Sequence, residues 1–124
     1  MPVVQKDPER EHRITMEIIV DAYGPEKQAM GWYYYLLDNI SFPFRAICIG
    51  EMKKSPIRLG DKVKILELAP EDDCGHEMFV ETTWRGRKLA VPLAQVQPLE
   101  STDGKTKEAV ADWHYWTARG YELS

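Results

Sequence analysis

The chain has little cysteine, no long apolar run and, in one central stretch, no positive charge. Its two cysteines, Cys48 and Cys74, are too few for a disulfide framework, so we expect reduced thiols and a cytoplasmic location. No apolar segment approaches the roughly 20 residues that a membrane-spanning helix needs. Residues 1–13 are polar and charged, which is not the pattern of a signal peptide.

The net charge restricts the class of partner. The 124 residues carry a formal net charge of -4 and are 44% hydrophobic. A nucleic-acid-binding protein usually presents a basic face, which this composition disfavours. The length suits a single domain with its own core. We therefore expect one domain over residues 1–124 that binds neither nucleic acid nor membranes and whose partners are neutral or cationic.

The stretch between Lys64 and Arg85 contains no lysine or arginine but is rich in acids. Two carboxylates about 5 Å apart repel each other by on the order of 3 kcal/mol at an effective dielectric of about 20. The acids must therefore point into water or share a cation, and calcium prefers such oxygen ligands. Composition alone favours the solvated loop, and a calcium site is the alternative. The acids of this stretch are Glu67, Glu71, Asp72, Asp73, Glu77 and Glu81.

Two helices are predicted over residues 7–40, packed as a helical hairpin. Asp7-Pro8 has the residues of a helix start, a capping side chain followed by a proline in the first turn. Gly24-Pro25 ends this helix and begins a second one, which should end near Asp38-Asn39. The cluster at 32–35 (WYYY) cannot bury all its rings on one helix. We expect the first two rings in the core and a hydroxyl of the last two at a polar site.

Residues 43–100 are predicted to form short strands between turn residues. An irregular phase at 66–68 indicates a β-bulge. The pattern favours a small antiparallel SH3-like barrel, and a final helix over 105–120, capped by Thr106, completes an α+β fold. The candidate strands are 44–49, 62–66, 77–84 and 88–91.

The predicted helix end at Asp38-Asn39 is one candidate metal site. A carboxylate there faces the negative end of the helix dipole, and the last carbonyls lack helical partners. A cation would satisfy both, although a plain C-terminal turn with Asn39 in a left-handed conformation would also explain the sequence. The loop 71–77 is the second candidate, because its acids could supply about half of the six to eight oxygens that calcium takes. It has no EF-hand pattern.

Other chemistry has weaker support. A zinc site needs four ligands, and Cys74 with His76 supplies only two. A hydrolase that used His76 with Glu77 or Asp73 would need a concave pocket and a strongly shifted pKa. No local motif supports either reading, so we do not expect an enzyme.

Several long blocks of the sequence resemble cyanobacterial CcbP-type calcium-binding proteins. The blocks are 17–24 (EIIVDAYG), 28–36 (QAMGWYYYL), 42–44 (FPF), 77–80 (EMFV), 89–93 (LAVPL) and 112–116 (DWHYW). The resemblance runs from about residue 11 to residue 121. It implies calcium binding without EF-hands, through acidic pockets, in calcium buffering or signalling. Asp38 belongs to the matching aromatic helix and is the ligand that the resemblance favours most.

These observations predict reversible calcium binding, as a buffer or a sensor. Acids of the loop 71–77 would meet Asp38 and the carbonyls at the helix end in one stronger site. The predicted ligands are Asp38, Asn39, Glu71, Asp72, Asp73 and Glu77. A weaker site would use Glu67 or Glu81, or Asp21 with Glu26. The alternative is a protein–protein interaction module, with an SH3-like barrel, whose acidic loop contacts a basic partner without a metal.

Overall fold

The computed structural model describes residues 5–52 and 55–123, so the two ends of the predicted 1–124 domain lie outside the described residues. The fold within these ranges is α+β, as predicted, with α-helices beside an antiparallel sheet. The helices are α1 (Pro8–Arg13), α2 (Pro25–Asn39) and α3 (Gly104–Ala118). No helix in the described ranges combines the length and apolarity needed to cross a membrane.

The first helix begins where the sequence predicts but ends earlier. The Asp7 side chain accepts a hydrogen bond from the Arg10 amide at 3.1 Å, which confirms it as the N-cap. After α1 the chain widens into a π-helical turn, Ile14–Ile18. Asp21 has a left-handed φ of 55°, so the helix cannot continue to Gly24.

The strands are β1 (Phe44–Cys48), β2 (Lys62–Leu68), β3 (Phe79–Trp84), β4 (Arg87–Pro92) and β5 (Val96–Pro98). They form one sheet in the order β4-β3-β2-β1-β5. The predicted bulge is confirmed, because the β2–β3 register shifts between Ile65 and Glu67. Arg85 and Gly86 both have positive φ, and they form the tight turn between β3 and β4. The edge strands β4 and β5 form no ladder with each other among the described residues, so closure into an SH3-like barrel is not confirmed.

The C-terminal helix α3 differs from its prediction at the start. Asp103, not Thr106, is the N-cap, and it accepts hydrogen bonds from the Thr106 amide and hydroxyl at 2.9 and 2.8 Å. A carboxylate accepts from the amide of the third helical residue, so the true cap lies one turn upstream. The aromatic side chains of α2 and α3 meet in the core, where the rings of Trp32 and Trp113 lie 5.0 Å apart, edge to face.

A buried carboxylate joins the three helices. Asp112 of α3 is fully buried. It accepts hydrogen bonds from Arg10 at 2.5 Å, from Arg13 at 2.5 and 3.1 Å, and from the Tyr35 hydroxyl at 2.6 Å. The charge-assisted bonds compensate for the loss of water around the carboxylate. This cluster fixes α2 against α1 and α3, and so fixes which face of α2 remains open.

Candidate metal centre

The acidic loop begins with a short 3₁₀ helix, Glu71–Cys74, between β2 and β3. Two tyrosines of α2 attach this part of the chain to α2. The Tyr33 hydroxyl donates to the Ala69 carbonyl at 2.8 Å, and the Tyr34 hydroxyl donates to Glu71 Oε2 at 2.6 Å. The expectation that a hydroxyl of Tyr34 or Tyr35 reaches a polar site is confirmed for both. The loop is therefore held against the open face of α2.

The acids of the loop differ in their exposure. Glu71, Asp72 and Asp73 are exposed, whereas Glu77 is partly buried between the 3₁₀ helix and β3. Burial raises the pKa of Glu77 above the ordinary value for glutamate, because desolvation disfavours its charged form. The pKa of Tyr33 is also raised, first by burial and then by nearby negative charges that include Glu71. Burial is thus the main cause of both shifts, and nearby negative charge contributes only to the shift of Tyr33.

Asp38 lies in the last turn of α2, and its exposed side chain forms no hydrogen bond or ion pair with the described residues. Asn39 is helical, so the left-handed alternative is wrong. Its side-chain amide donates to the Tyr35 carbonyl at 2.8 Å. The carbonyls of residues 37–39 accept no hydrogen bond from the part of the chain that the structure describes. The helix end therefore offers a carboxylate and free carbonyl oxygens together.

The acidic loop lies along α2 between its first turn and Tyr34. A cavity of about 510 Å³ separates them, lined by Glu26 of α2 and by Glu71 and Asp72 of the loop. Asp38 is twelve residues from Glu26, about 18 Å along the helix axis at 1.5 Å per residue. It is, however, only one turn beyond Tyr34, the residue that contacts Glu71. Asp73 and Glu77 do not line this cavity.

The chemistry of these side chains suits a hard divalent cation, since carboxylates and carbonyls are its preferred ligands. Their arrangement is open. Across residues 5–52 and 55–123, no three His, Cys, Asp or Glu side chains are close enough together to hold a metal ion. Exposed carboxylates can change rotamer at little energetic expense, so ligation would require side chains and loop carbonyls to converge. Cys74 is buried and His76 is exposed, and no further zinc ligands join the pair from the residues that the structure describes.

A second acidic pair already has a cation beside it. Glu67 and Glu81 are opposite each other on β2 and β3. The Lys88 ammonium of β4 lies 3.3 Å from Glu81 and 3.9 Å from Glu67. Lys88 therefore reduces the repulsion that the sequence assigns to these acids. The contact was missed because it depends on the register of three strands.

Two residues that shape the region were not singled out from the sequence. Leu123 is buried and lines the cavity, and Met30 lines it while remaining nearly half exposed. Met30 precedes Tyr34 and Leu37 by four and seven residues, the spacing of a single helix face. That spacing was a usable signal, although it resembles a core stripe until the packing of α2 is known.

The chain is similar in sequence and in fold to proteins described as calcium binding. The model of the Calci_bind_CcbP family, described as calcium binding, matches residues 12–117. A crystal structure of Anabaena CcbP is similar to this chain with 43% sequence identity and a TM-score of 0.84, covering 98% of both chains. A calcium-binding protein in its calcium-binding form is similar with 42% identity, the same TM-score and the same coverage. A search of curated proteins finds no match.

Proposed function

Because this chain belongs to the CcbP family of calcium-binding proteins, we propose that it binds calcium reversibly at the surface where α2 meets the acidic loop. The observation that carries the proposal is the attachment of Glu71 to α2 through Tyr34. It keeps an acidic loop beside a helix whose last turn presents Asp38. We propose no catalytic role. We also propose a cytoplasmic location, because Cys48 and Cys74 are both free thiols.

In this proposal the stronger site would use Asp38 and the free carbonyls at the end of α2. The amide oxygen of Asn39 is a further candidate, since its nitrogen bonds to the Tyr35 carbonyl. Loop carboxylates would complete the ligand set, with Glu71 nearest to α2. The remaining candidates are Asp72, Asp73 and Glu77. The ion would supply the positive charge that neutralises these carboxylates and opposes the negative end of the helix dipole.

Calcium suits this open arrangement better than magnesium. Calcium accepts six to eight oxygens in flexible geometry, whereas magnesium requires near-octahedral ligands at shorter distances and retains its waters. A loop that must close around the ion from exposed side chains favours the more tolerant cation. Closure by side chains alone would suit a buffer. A sensor would also need the 3₁₀ helix to move relative to α2, which would break the Tyr34–Glu71 hydrogen bond.

Titration calorimetry tests the assignment of Asp38. Asp38→Asn removes one carboxylate and keeps the size of the side chain, and we expect it to weaken calcium binding by about tenfold or more. Glu9→Gln is the matched control, since Glu9 is an exposed carboxylate in α1 with no ion pair among the described residues. Asp103 is a poorer control because it caps α3. Equal calcium isotherms for Asp38→Asn and Glu9→Gln would reject the site.

The interaction module remains the second candidate function, and one observation favours it. Met30, Tyr34 and Leu37 leave an exposed apolar face on α2 beside the acids. A protein that only buffered an ion would not need such a face. In this candidate function the sheet would be an SH3-like barrel. The strand order agrees with it, and a 3₁₀ helix (Leu93–Gln95) joins β4 to β5.

A further inference from the structure

The cavity between α2 and the acidic loop combines an apolar floor with an acidic rim, and we call it the acidic groove. Its floor comprises Ala29 and Met30 of α2 and the buried Leu123. Its rim carries Glu26, Glu71 and Asp72. The apolar face continues along α2 through Tyr34 and Leu37, so the surface is longer than the cavity alone.

The charge of the groove specifies what it can accept. Among the described residues that line it, none is a lysine or an arginine. Lys27, the lysine of α2, does not line it. Three carboxylates beside apolar surface attract a cationic partner and disfavour an anionic one. A second copy of this chain would bring a net charge of -4 and the same acidic rim, so self-association is disfavoured.

We propose that the acidic groove and the adjoining face of α2 bind a cationic amphipathic helix from a partner protein. An apolar side chain of that helix would enter over Met30, and its lysines or arginines would lie against Glu26 and Asp72. Met30, Tyr34 and Leu37 recur over two turns, which matches the anchor spacing of a helix lying in a groove. A small polyamine would satisfy the rim but would leave Tyr34 and Leu37 uncovered.

Calcium and this partner compete for the same charges, a step that rests on the proposed function. A calcium ion ligated by Glu71 or Asp72 neutralises the rim and removes the attraction for lysine and arginine. By linkage, the bound partner weakens calcium binding by the same factor. The protein then releases its partner when calcium rises, and it takes up calcium more tightly once the partner has left.

Fluorescence anisotropy on the full chain tests the groove. The probe is a fluorescein-labelled synthetic helix of leucine and lysine with its leucines on one face, measured in chelator. We expect it to bind more tightly than a scrambled peptide of the same composition, and Met30→Gln to weaken it by about tenfold. Met16→Gln is the matched control, because Met16 is a methionine that is 54% exposed and lies outside the groove. It should bind like the parent.

The outcomes separate this proposal from calcium binding itself. Met30→Gln removes no carboxylate, so calorimetry should show calcium binding unchanged while peptide binding falls. Saturating calcium should weaken binding of the peptide to the parent protein by at least about fivefold. Equal binding of the scrambled peptide, or equal effects of Met30→Gln and Met16→Gln, would overturn the groove, as would a dimer in sedimentation that Met30→Gln dissociates. If the peptide binds but calorimetry detects no calcium binding, the proposed function and the competition are overturned.

Discussion

The hydroxyl of Tyr35 donates a hydrogen bond of 2.6 Å to Asp112, and this contact joins α2 to α3 across 77 positions of sequence. Arg10 and Arg13, both in α1, also donate hydrogen bonds to the Asp112 carboxylate. Burial, followed by this bond, raises the pKa of Tyr35 far above the ordinary value for tyrosine. Tyr35 therefore remains a donor throughout the physiological pH range.

We predict that Asp112→Asn lowers the free energy of unfolding by about 3 kcal/mol, because two arginines lose their buried partner. Both guanidinium groups keep some access to water, so the loss should lie at the low end for a broken buried pair. Urea denaturation measures it. Glu108→Gln removes the exposed partner of Arg13 and should change stability by less than about 1 kcal/mol. Similar losses for the two variants would contradict a structural role specific to Asp112.

Gly31 allows α2 to approach the π-helical turn. A Cβ atom at this position would collide with the Ile18 carbonyl oxygen, which is backbone and cannot rotate away. Gly31→Ala should therefore destabilise the protein by about 1–3 kcal/mol, although alanine favours helices. Gly104→Ala is the control, since a Cβ there meets open space. If thermal denaturation shows Gly31→Ala to be neutral, the close approach is not required.

Calcium should stabilise the folded chain by mass action. At one hundred times its dissociation constant, a ligand that binds only the native state adds about 2.7 kcal/mol to the free energy of unfolding. We expect this increase with calcium, a smaller one with magnesium and none with chelator, measured by urea denaturation in each buffer. Asp38→Asn should lose most of the calcium increment while Glu9→Gln retains it. An increment of equal size with magnesium would contradict the preference for a flexible ligand set.

Glu77 should affect stability in a pH-dependent way. Its folded-state pKa is raised by burial, so the charged form is less favourable in the folded chain than in the unfolded one. Its charge lowers the free energy of unfolding at neutral pH, and this penalty is lost as pH falls through the raised pKa toward about 4.3. Glu77→Gln should stabilise the calcium-free protein at pH 7 and have little effect near pH 3.5.

The same variant tests Glu77 as a ligand. With saturating calcium at pH 7, Glu77→Gln should instead lower the free energy of unfolding, because the variant loses the negative charge of a ligand carboxylate. Glu17→Gln, at an exposed position of the π-helical turn, should show neither effect. If Glu77→Gln stays stabilising in calcium, Glu77 is not a ligand.

The Lys88 ammonium lies near Glu67 and Glu81, so its removal should increase the repulsion between these two acids. Lys88→Met should lower the free energy of unfolding by up to about 1 kcal/mol at low salt, since Glu67 and Glu81 lie directly opposite each other. The loss should shrink at high salt through screening. Lys62→Met, at an exposed position of β2, is the control. Millimolar calcium should restore more stability to Lys88→Met than to Lys62→Met if these acids form a weak site.

The sequence predicted the elements whose signals are local. Pro25 begins α2, and Arg85 with Gly86 turns the chain between β3 and β4, because proline and glycine restrict or permit particular backbone angles. The phase break at 66–68 located the bulge because an extra residue in a strand interrupts the alternation of apolar and polar side chains. The cap of α3 was misplaced because Asp103 and Thr106 both suit a helix start, and only the backbone distinguishes them.

The site was less accessible to sequence reasoning, because proximity across the fold is not encoded in a short pattern. The acids themselves were identified from composition, and the hydroxyls of Tyr34 and Tyr35 from crowding on one helix. Which acid meets which tyrosine depends on the packing of α2 against the loop. Asp112 was missed as a structural carboxylate because its arginines lie about a hundred positions away. The ligand set therefore remains a prediction.

The open sheet has one more consequence, for self-assembly. An unpaired strand edge can template fibrils with another chain, yet both edges here are poor templates. β5 spans only Val96–Pro98, and its last residue has no amide hydrogen to donate. β4 begins with Arg87 and Lys88 and ends at Pro92. Both edges of the described sheet therefore oppose edge-to-edge pairing with a second chain.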